Sequence, residues 1–109
     1  MQKQSKMVTI TVDRTLKKDL ENIKIQLIKR EERNITHKDI FKELLYRFNV
    51  DEKYRERVKQ CLSAPAPSGY EALSVSIEAN EKAQLLELTK NYNTSIVKLT
   101  RCLIKNYFV

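Results

Sequence analysis

The chain has 109 residues, of which 41% are hydrophobic and 32% charged, so it can build one compact core but not two separate globular domains. Its 21 Lys and Arg outnumber its 14 Asp and Glu, and this net charge of +7 points to a polyanionic partner. The only glycine, Gly69, excludes glycine-rich phosphate loops, and the only histidine, His37, excludes a His-based catalytic centre or zinc site. We therefore expect a protein that is not an enzyme and has no cofactor, metal or small-molecule substrate.

The cysteines and the hydropathy pattern indicate in which cellular compartment the protein is expected. No apolar run approaches the ~20 residues of a membrane-spanning helix, and residues 1–7 are polar rather than signal-like. Cys61 and Cys102 lack a short-spaced pairing motif and have apolar neighbours, which predicts buried, reduced thiols with a structural role. The expected location is the cytoplasm, with no membrane partner.

Residues 7–13 have the alternation of a half-buried strand. One face carries the aliphatic residues Val8, Ile10 and Val12, and the other carries Met7, Thr9 and Thr11.

A helical pattern follows the strand, with Thr15 as the predicted N-cap and a charged turn at residues 29–34. Its predicted inward positions are Leu16, Leu20, Ile23, Leu27 and Ile28. The next helix is predicted to begin at Thr36, with Ile40, Phe41, Leu44, Leu45 and Phe48 pointing inward. Residues 51–62 either continue this helix or form a short one packed on the main body, because Tyr54, Val58 and Leu62 recur at every fourth position.

The second half of the chain repeats the same order of elements. Residues 63–70 hold both prolines and the glycine and are predicted to be a linker. A shift of 65 superimposes residues 8–13 on residues 73–78 class by class, and it pairs Thr15 with Asn80 as a second N-cap. The last helix is predicted to begin near Ser95, and its inward positions are Leu99, Cys102, Leu103, Ile104 and Tyr107. We expect a first unit at residues 1–62, with a basic N-terminal arm and a helical extension, and a second unit at residues 71–109 that shares its core.

A short strand followed by two helices, the second opened by a small polar residue, resembles the ribbon-helix-helix family of DNA-binding proteins. The motifs that carry the resemblance are Val8-Thr9-Ile10-Thr11-Val12, Leu73-Ser74-Val75-Ser76-Ile77, Asn93-Thr94-Ser95-Ile96-Val97-Lys98-Leu99 and Leu103-Ile104-Lys105-Asn106-Tyr107. Two copies in one chain are similar in layout to the conjugation protein TraY and to some archaeal viral regulators. The resemblance implies a mainly helical fold with one two-stranded antiparallel ribbon, in a tandem β-α-α-linker-β-α-α pseudo-dimer.

The resemblance also implies two sets of DNA contacts. The base-facing set is the outer face of the ribbon, namely Met7, Thr9, Thr11, Ala72, Ser74 and Ser76. The phosphate-binding set comprises the starts of the second helices and the basic arm, namely Thr36, His37, Lys38, Thr94, Ser95, Lys3 and Lys6. Because the base-facing set lacks Arg, Lys, Asn and Gln, direct readout should be modest. Asp13 and Glu78 share the outward parity and would repel phosphate if they faced it.

Each site also has a plainer interpretation. The hydroxyl face fits the solvated side of any half-buried hairpin, and Thr36, Thr94 and Ser95 fit ordinary helix capping. The matched second copy favours DNA contact. The expected function is transcriptional regulation for a virus or plasmid, in the host cytoplasm if viral, by insertion of the ribbon into the major groove of double-stranded DNA. Self-association along DNA is left open, and the alternative function is a relaxosome accessory or antitoxin-like protein-interaction module.

Overall fold

The structure of the protein, a computed structural model, describes residues 6–65 and 69–108. It is mainly helical, with one two-stranded antiparallel sheet. The elements in chain order are β1 (Met7–Asp13), a 3-10 turn (Arg14–Leu16), α1 (Lys17–Glu31), α2 (His37–Val50), α3 (Glu52–Ser63), β2 (Ala72–Glu78), α4 (Ala79–Asn91) and α5 (Ile96–Lys105). None of the helices in these two ranges is long and apolar enough to cross a membrane. Lys3 of the predicted arm and residues 66–68 of the predicted linker lie outside the described residues.

The two strands pair with each other around a central Ile10–Val75 pair. Backbone bonds of 2.8 Å from Ala79 N to Lys6 O and from Arg14 N to Glu71 O extend the ladder equally at both ends. These two bonds are related by the same shift of 65 that superimposes the strand sequences. The ribbon therefore has an approximate two-fold axis through its central pair, and the two halves of the chain correspond across it.

Two ion pairs repeat this correspondence between the halves. Arg101 on α5 binds Asp13 at the end of β1, and Lys42 on α2 binds Glu78 at the end of β2, with 3.0 Å between Nζ and Oε1. Each strand end is thus held by the second helix of the other half. The two pairs tie α2 and α5 to the ribbon.

The core lies between the inner face of the ribbon and the five helices. Ile10, Val12, Val75 and Ile77 are buried, whereas Val8 and Leu73 at the ribbon ends are half-buried. Every predicted inward position of α2 and of the last helical segment is confirmed, since all are buried. On α1 the prediction is wrong for Ile28 alone, which is exposed because it turns to the side of the helix away from the core.

The sequence predicts an N-cap for four helices. The predictions are right for α2 and α5 and wrong for α1 and α4. Thr36 and Ser95 are the N-caps as expected. Thr15 is not a cap; instead its N–H and hydroxyl donate to the carboxylate of Asp13, which caps the 3-10 turn. Asn80 lies inside α4, whose N-cap is Glu78. In both halves the last residue of the strand occupies the cap position of the helical segment that follows it, which is the 3-10 turn in the first half and α4 in the second.

The predicted charged turn at residues 29–34 is shorter than expected, because α1 continues to Glu31 and ends at Glu32 with a positive φ of 54°. Residues 51–62 form a helix of their own rather than continuing α2. Asp51 starts this helix by accepting a bond from Tyr54 N, and Tyr54 and Val58 are fully buried while Leu62 is half-buried.

The prediction of reduced thiols is wrong. Cys61 on α3 and Cys102 on α5 form a disulfide, with their Cα atoms 5.7 Å apart. Because the two residues are 41 positions apart, no local sequence motif predicts the bond. The packing of α3 on α5 brings the two cysteines together.

Removal of the disulfide should destabilise the protein without unfolding it. Closing a loop of this length is worth about 3 to 4 kcal/mol of unfolding free energy in the chain-entropy treatment, while the burial of Tyr54 and Val58 still holds α3 in place. Urea unfolding of the Cys61→Ser/Cys102→Ser variant should therefore have a lower midpoint than the oxidised parent. The parent in reducing agent should match the variant. Equal midpoints for oxidised and reduced parent would contradict the role given to this bond.

The Asp13–Arg101 pair should make stability depend on acid pH. Burial alone would raise the pKa of Asp13, but the bonds from Arg101 and Thr15 outweigh it and lower the pKa below its usual value. The contribution is therefore fully present above the unfolded pKa of about 3.9 and is lost as pH falls through the lower folded pKa. Asp13→Asn should cost about 3 to 5 kcal/mol at pH 7, because Arg101 loses its partner, and should flatten the acid limb of urea-unfolding stability plotted against pH.

The matched control is Glu56→Gln, which removes the exposed pair with Lys59 and should change stability by less than about 0.5 kcal/mol. An Asp13→Asn protein as stable as its parent would show that the pair does not hold the strand end.

Candidate nucleic-acid interface

The outer face of the ribbon is the surface opposite the core. Five of its six predicted base-facing residues are exposed and Thr11 is half-buried; the exposed ones are Met7, Thr9, Ala72, Ser74 and Ser76. The structure thus brings all six to one face of one ribbon, while the larger aliphatic residues point to the other face, namely Val8, Ile10, Val12, Leu73, Val75 and Ile77. The strand alternation in the sequence predicted this separation in full.

The hydroxyls of the outer face stand close together. Since the Lys6–Ala79 and Glu71–Arg14 positions are hydrogen-bonded, the alternation of an antiparallel ladder makes Thr9–Ser76 and Thr11–Ser74 the non-hydrogen-bonded pairs. Residues in such pairs have Cα atoms about 4.5 Å apart, which is the closer of the two spacings. Four hydroxyl groups therefore form one compact patch across the two-fold axis.

This patch can donate and accept hydrogen bonds, and the methyl groups of Thr9 and Thr11 can also contact thymine methyls. Ser74 and Ser76 offer hydroxyls without methyl groups. Met7 and Ala72 occupy corresponding ends and differ in size. The two strands thus offer the same number of hydroxyl groups to a partner, but β1 offers more apolar surface than β2.

The alternation of the strands places Asp13 and Glu78 on the outward side, where their carboxylates would repel a phosphate. In the structure both carboxylates are instead engaged by basic side chains. Asp13 is 3% exposed and is turned toward Arg101 and Thr15. Glu78 is half-buried and lies 3.0 Å from Lys42 and 3.8 Å from Lys38. Their negative charges are balanced within the protein, although Lys38 is thereby less available to a phosphate than the sequence alone suggested.

A cation that the sequence analysis missed stands at the edge of the ribbon. Lys82, in the first turn of α4, donates from Nζ to the backbone oxygen of Thr9 over 3.3 Å. The shift of 65 pairs it with Lys17, which is exposed at the start of α1. This repeat of a lysine after each strand was the available signal. Lys6 and Arg14, both exposed, immediately flank β1.

The start of α2 carries its own carboxylate. Asp39 accepts from the N–H and the hydroxyl of Thr36, both over 3.0 Å, and lies 3.4 Å from a guanidinium nitrogen of Arg33. His37 is exposed, and partial desolvation and then the charge of Lys24 lower its pKa, which disfavours the charged form. The first-turn N–H groups point outward here, but an incoming phosphate would meet Asp39.

The start of α5 has no acidic residue in its first turn. Ser95 accepts from Lys98 N over 3.1 Å, and Thr94 N donates to Thr89 O over 3.0 Å. Because the dipole and first-turn amides favour an anion, this start is the more favourable phosphate site of the two. The sequence has 16 Lys and Arg among residues 1–65 and 5 among residues 66–109, so the overall distribution of positive charge favours the other half.

Comparison with protein-family models, with curated proteins and with solved structures gives no match to this chain. The resemblance to the ribbon-helix-helix family therefore stays an expectation carried by residue classes and element order. Among residues 6–65 and 69–108, no group of three or more His, Cys, Asp or Glu could hold a metal ion.

Proposed function

We propose that this protein is a DNA-binding transcriptional regulator of a virus or plasmid. It would fold as a tandem ribbon-helix-helix pseudo-dimer and insert its single ribbon into the major groove of double-stranded DNA. The observation that carries the proposal is the ribbon itself. Its outer face presents hydroxyls at four matched positions, and its inner face buries the aliphatic residues between them.

The size of the major groove and the positions of the helix starts support insertion of the ribbon into DNA. The major groove of B-DNA, about 12 Å wide, admits a two-stranded ribbon, and hydroxyls can bond to any base edge there. The helices that cross beneath the ribbon begin at Thr36 and Ser95, one in each half. Their first-turn amides would bind backbone phosphates on either side of the inserted ribbon.

The inequalities between the halves predict the form of the preferred site. An approximate two-fold axis favours two similar half-sites, as in other symmetric DNA-binding proteins. However, both threonines of the patch belong to β1, and Asp39 stands at only one of the two helix starts. The half-sites should consequently be similar without being identical, and the phosphate contact at α5 should be the stronger one.

Mutation should separate base reading from phosphate binding. Thr9→Ala with Ser74→Ala removes one hydroxyl from each cross-strand pair while leaving the core untouched, so the fold should persist and selectivity for the preferred duplex should fall. Thr36→Ala and Ser95→Ala should weaken binding to preferred and random duplexes alike, and each should cost about 0.5 to 2 kcal/mol of stability. The preferred duplex is obtained by selection from a random library, and affinities are then measured by fluorescence anisotropy.

Ser63→Ala is the matched control, because it removes an exposed hydroxyl from the end of α3, a helix that packs on α2 and α5. It should change neither affinity nor selectivity. If the Thr9/Ser74 variant prefers the selected duplex as strongly as the parent does, the ribbon is not the reading element.

Affinity should also fall steeply with salt, by about 0.9 in the slope of log K against log salt for each phosphate neutralised. Lys3→Ala with Lys6→Ala should flatten this slope without changing sequence preference, since phosphate contacts carry little sequence information. Lys53→Ala with Lys59→Ala removes the same charge from α3, which packs on α2 and α5, and should leave the slope nearly unchanged. A flat response in the parent would favour the relaxosome accessory or antitoxin-like alternative.

A further inference from the structure

Helix α3 packs on α5 and on the end of α2. The corresponding surface of the other half, formed by α2 and the end of α5, has no helix packed on it in the described part of the chain. A shift of 59 superimposes α2 on α5, pairing Thr36 with Ser95 and Phe48 with Tyr107. Under this shift the α5 residues next to α3, Cys102 and Leu103, correspond to residues 43 and 44 of α2. The two faces are therefore related by the same two-fold correspondence as the ribbon.

On the covered face, α3 makes three kinds of non-covalent contact in addition to the disulfide. Tyr54 and Val58 bury their side chains completely, and the hydroxyl of Tyr54 donates to Leu103 O. Arg55 donates from Nη1 to the backbone oxygens of Phe48 and Asn49 over 2.9 and 3.1 Å, which satisfies carbonyls at the end of α2. The covered face thus binds an amphipathic helix by apolar burial and by an arginine cap.

The corresponding open face is a cleft of about 620 Å³ between the C-terminal part of α2 and the residues that follow α5, and α1 contributes Gln26 and Arg30 to its wall. Its rim has three large apolar side chains with more than half of their surface exposed: Tyr46 at 64%, Val50 at 61% and Phe108 at 53%. No helix in the described part of the chain covers them. Contiguous exposed apolar side chains of this size are typical of an interaction surface.

The charged floor of the cleft is already balanced. Glu43 accepts two bonds from Arg30, over 3.1 and 3.2 Å, and one from the hydroxyl of Tyr107 over 2.8 Å. The guanidinium of Arg47 lies 5.0 Å from the centre of the Tyr107 ring. An apolar partner can cover this floor without leaving a buried charge unpaired, which is the usual obstacle to burying a carboxylate.

We propose that this cleft binds an amphipathic helix of a partner protein, seated as α3 is seated on the corresponding face. The partner helix would place two apolar side chains four residues apart against Tyr46, Val50 and Phe108. An arginine beside the first of them would donate to the backbone oxygens of Tyr107 and Phe108, as Arg55 does to Phe48 and Asn49. Since Glu43 replaces Cys102, the complex would be non-covalent.

A partner helix fits the cleft better than a second copy of the chain does. The helix of a second copy that matches this description is its own α3, whose apolar residues Tyr54 and Val58 are already buried and which a disulfide ties to α5. The cleft also lies at the C-terminal ends of α2 and α5, and α2 alone spans 14 residues, or about 21 Å. Binding there leaves the ribbon face exposed, so the proposal does not depend on the proposed function.

The test uses the intact oxidised protein and a synthetic peptide of residues 51–64 with Cys61→Ser and Tyr54→Phe. The second change removes the hydroxyl because Leu44 O lies in the middle of α2, where the helix already uses it as an acceptor, whereas Leu103 O lies in the last turn of α5. Backbone amide shifts in nitrogen-15 NMR spectra are followed as peptide is added to about 1 mM, where even a weak complex is populated. Saturable shifts should cluster at Tyr46, Val50 and Phe108.

Val50→Asp should weaken peptide binding at least about tenfold while leaving the spectrum folded, because the side chain is exposed. The matched control is Leu86→Asp, which places the same charge on an exposed apolar position of α4 and should not change binding. Absence of shifts at the highest peptide concentration, or shifts confined to other faces, would overturn the proposal. A dimer of the parent in sedimentation that Val50→Asp dissociates would also overturn it, by assigning the face to a second copy.

Discussion

The pairing of β1 with β2 is the constraint on which the rest of this structure depends. A lone seven-residue strand would leave its backbone N–H and C=O groups without partners and its aliphatic face in water, so neither half of the chain is complete alone. The 65-residue spacing of the strands makes their pairing a long-range contact that joins both ends of the molecule. Once the ribbon forms, Arg101 and Lys42 reach across to the strand ends of the other half, and the helices are held beneath it.

The same pairing produces the candidate DNA surface. Because side chains alternate along a strand, burying Ile10 and Val75 necessarily exposes the hydroxyls on either side of them. The acids that end each strand are drawn into ion pairs, which removes negative charge from the surface that would approach phosphate. Asymmetry enters at the helix starts, where Asp39 stands before α2 and no acid stands in the first turn of α5. One chain with two unequal halves can evolve these differences independently, whereas a symmetric homodimer cannot.

The correspondence between the halves is broken most clearly by α3. It covers one of two related faces, and the disulfide and the Arg55 cap hold it there. The other face keeps a balanced carboxylate in its floor and three exposed apolar side chains at its rim. On the two proposals made above, the polar ribbon face and the cleft rimmed by apolar side chains would serve two different partners.

The sequence by itself determined what depends on short-range periodicity and local hydrogen bonding. The alternation of residues 7–13 and 72–78 fixed which side chains of the ribbon are buried, and the spacing from Ile40 to Phe48 fixed the inner face of α2. Only the tertiary structure decided which distant groups meet. It paired Cys61 with Cys102, brought Arg101 to Asp13, and buried Glu81 where the first half has Leu16, which raises the pKa of that carboxyl. Sequence patterns with periods of 2 and 3.6 residues specify a face of one element, whereas contacts between residues 41 or 88 positions apart depend on how the elements pack, and no local pattern encodes that.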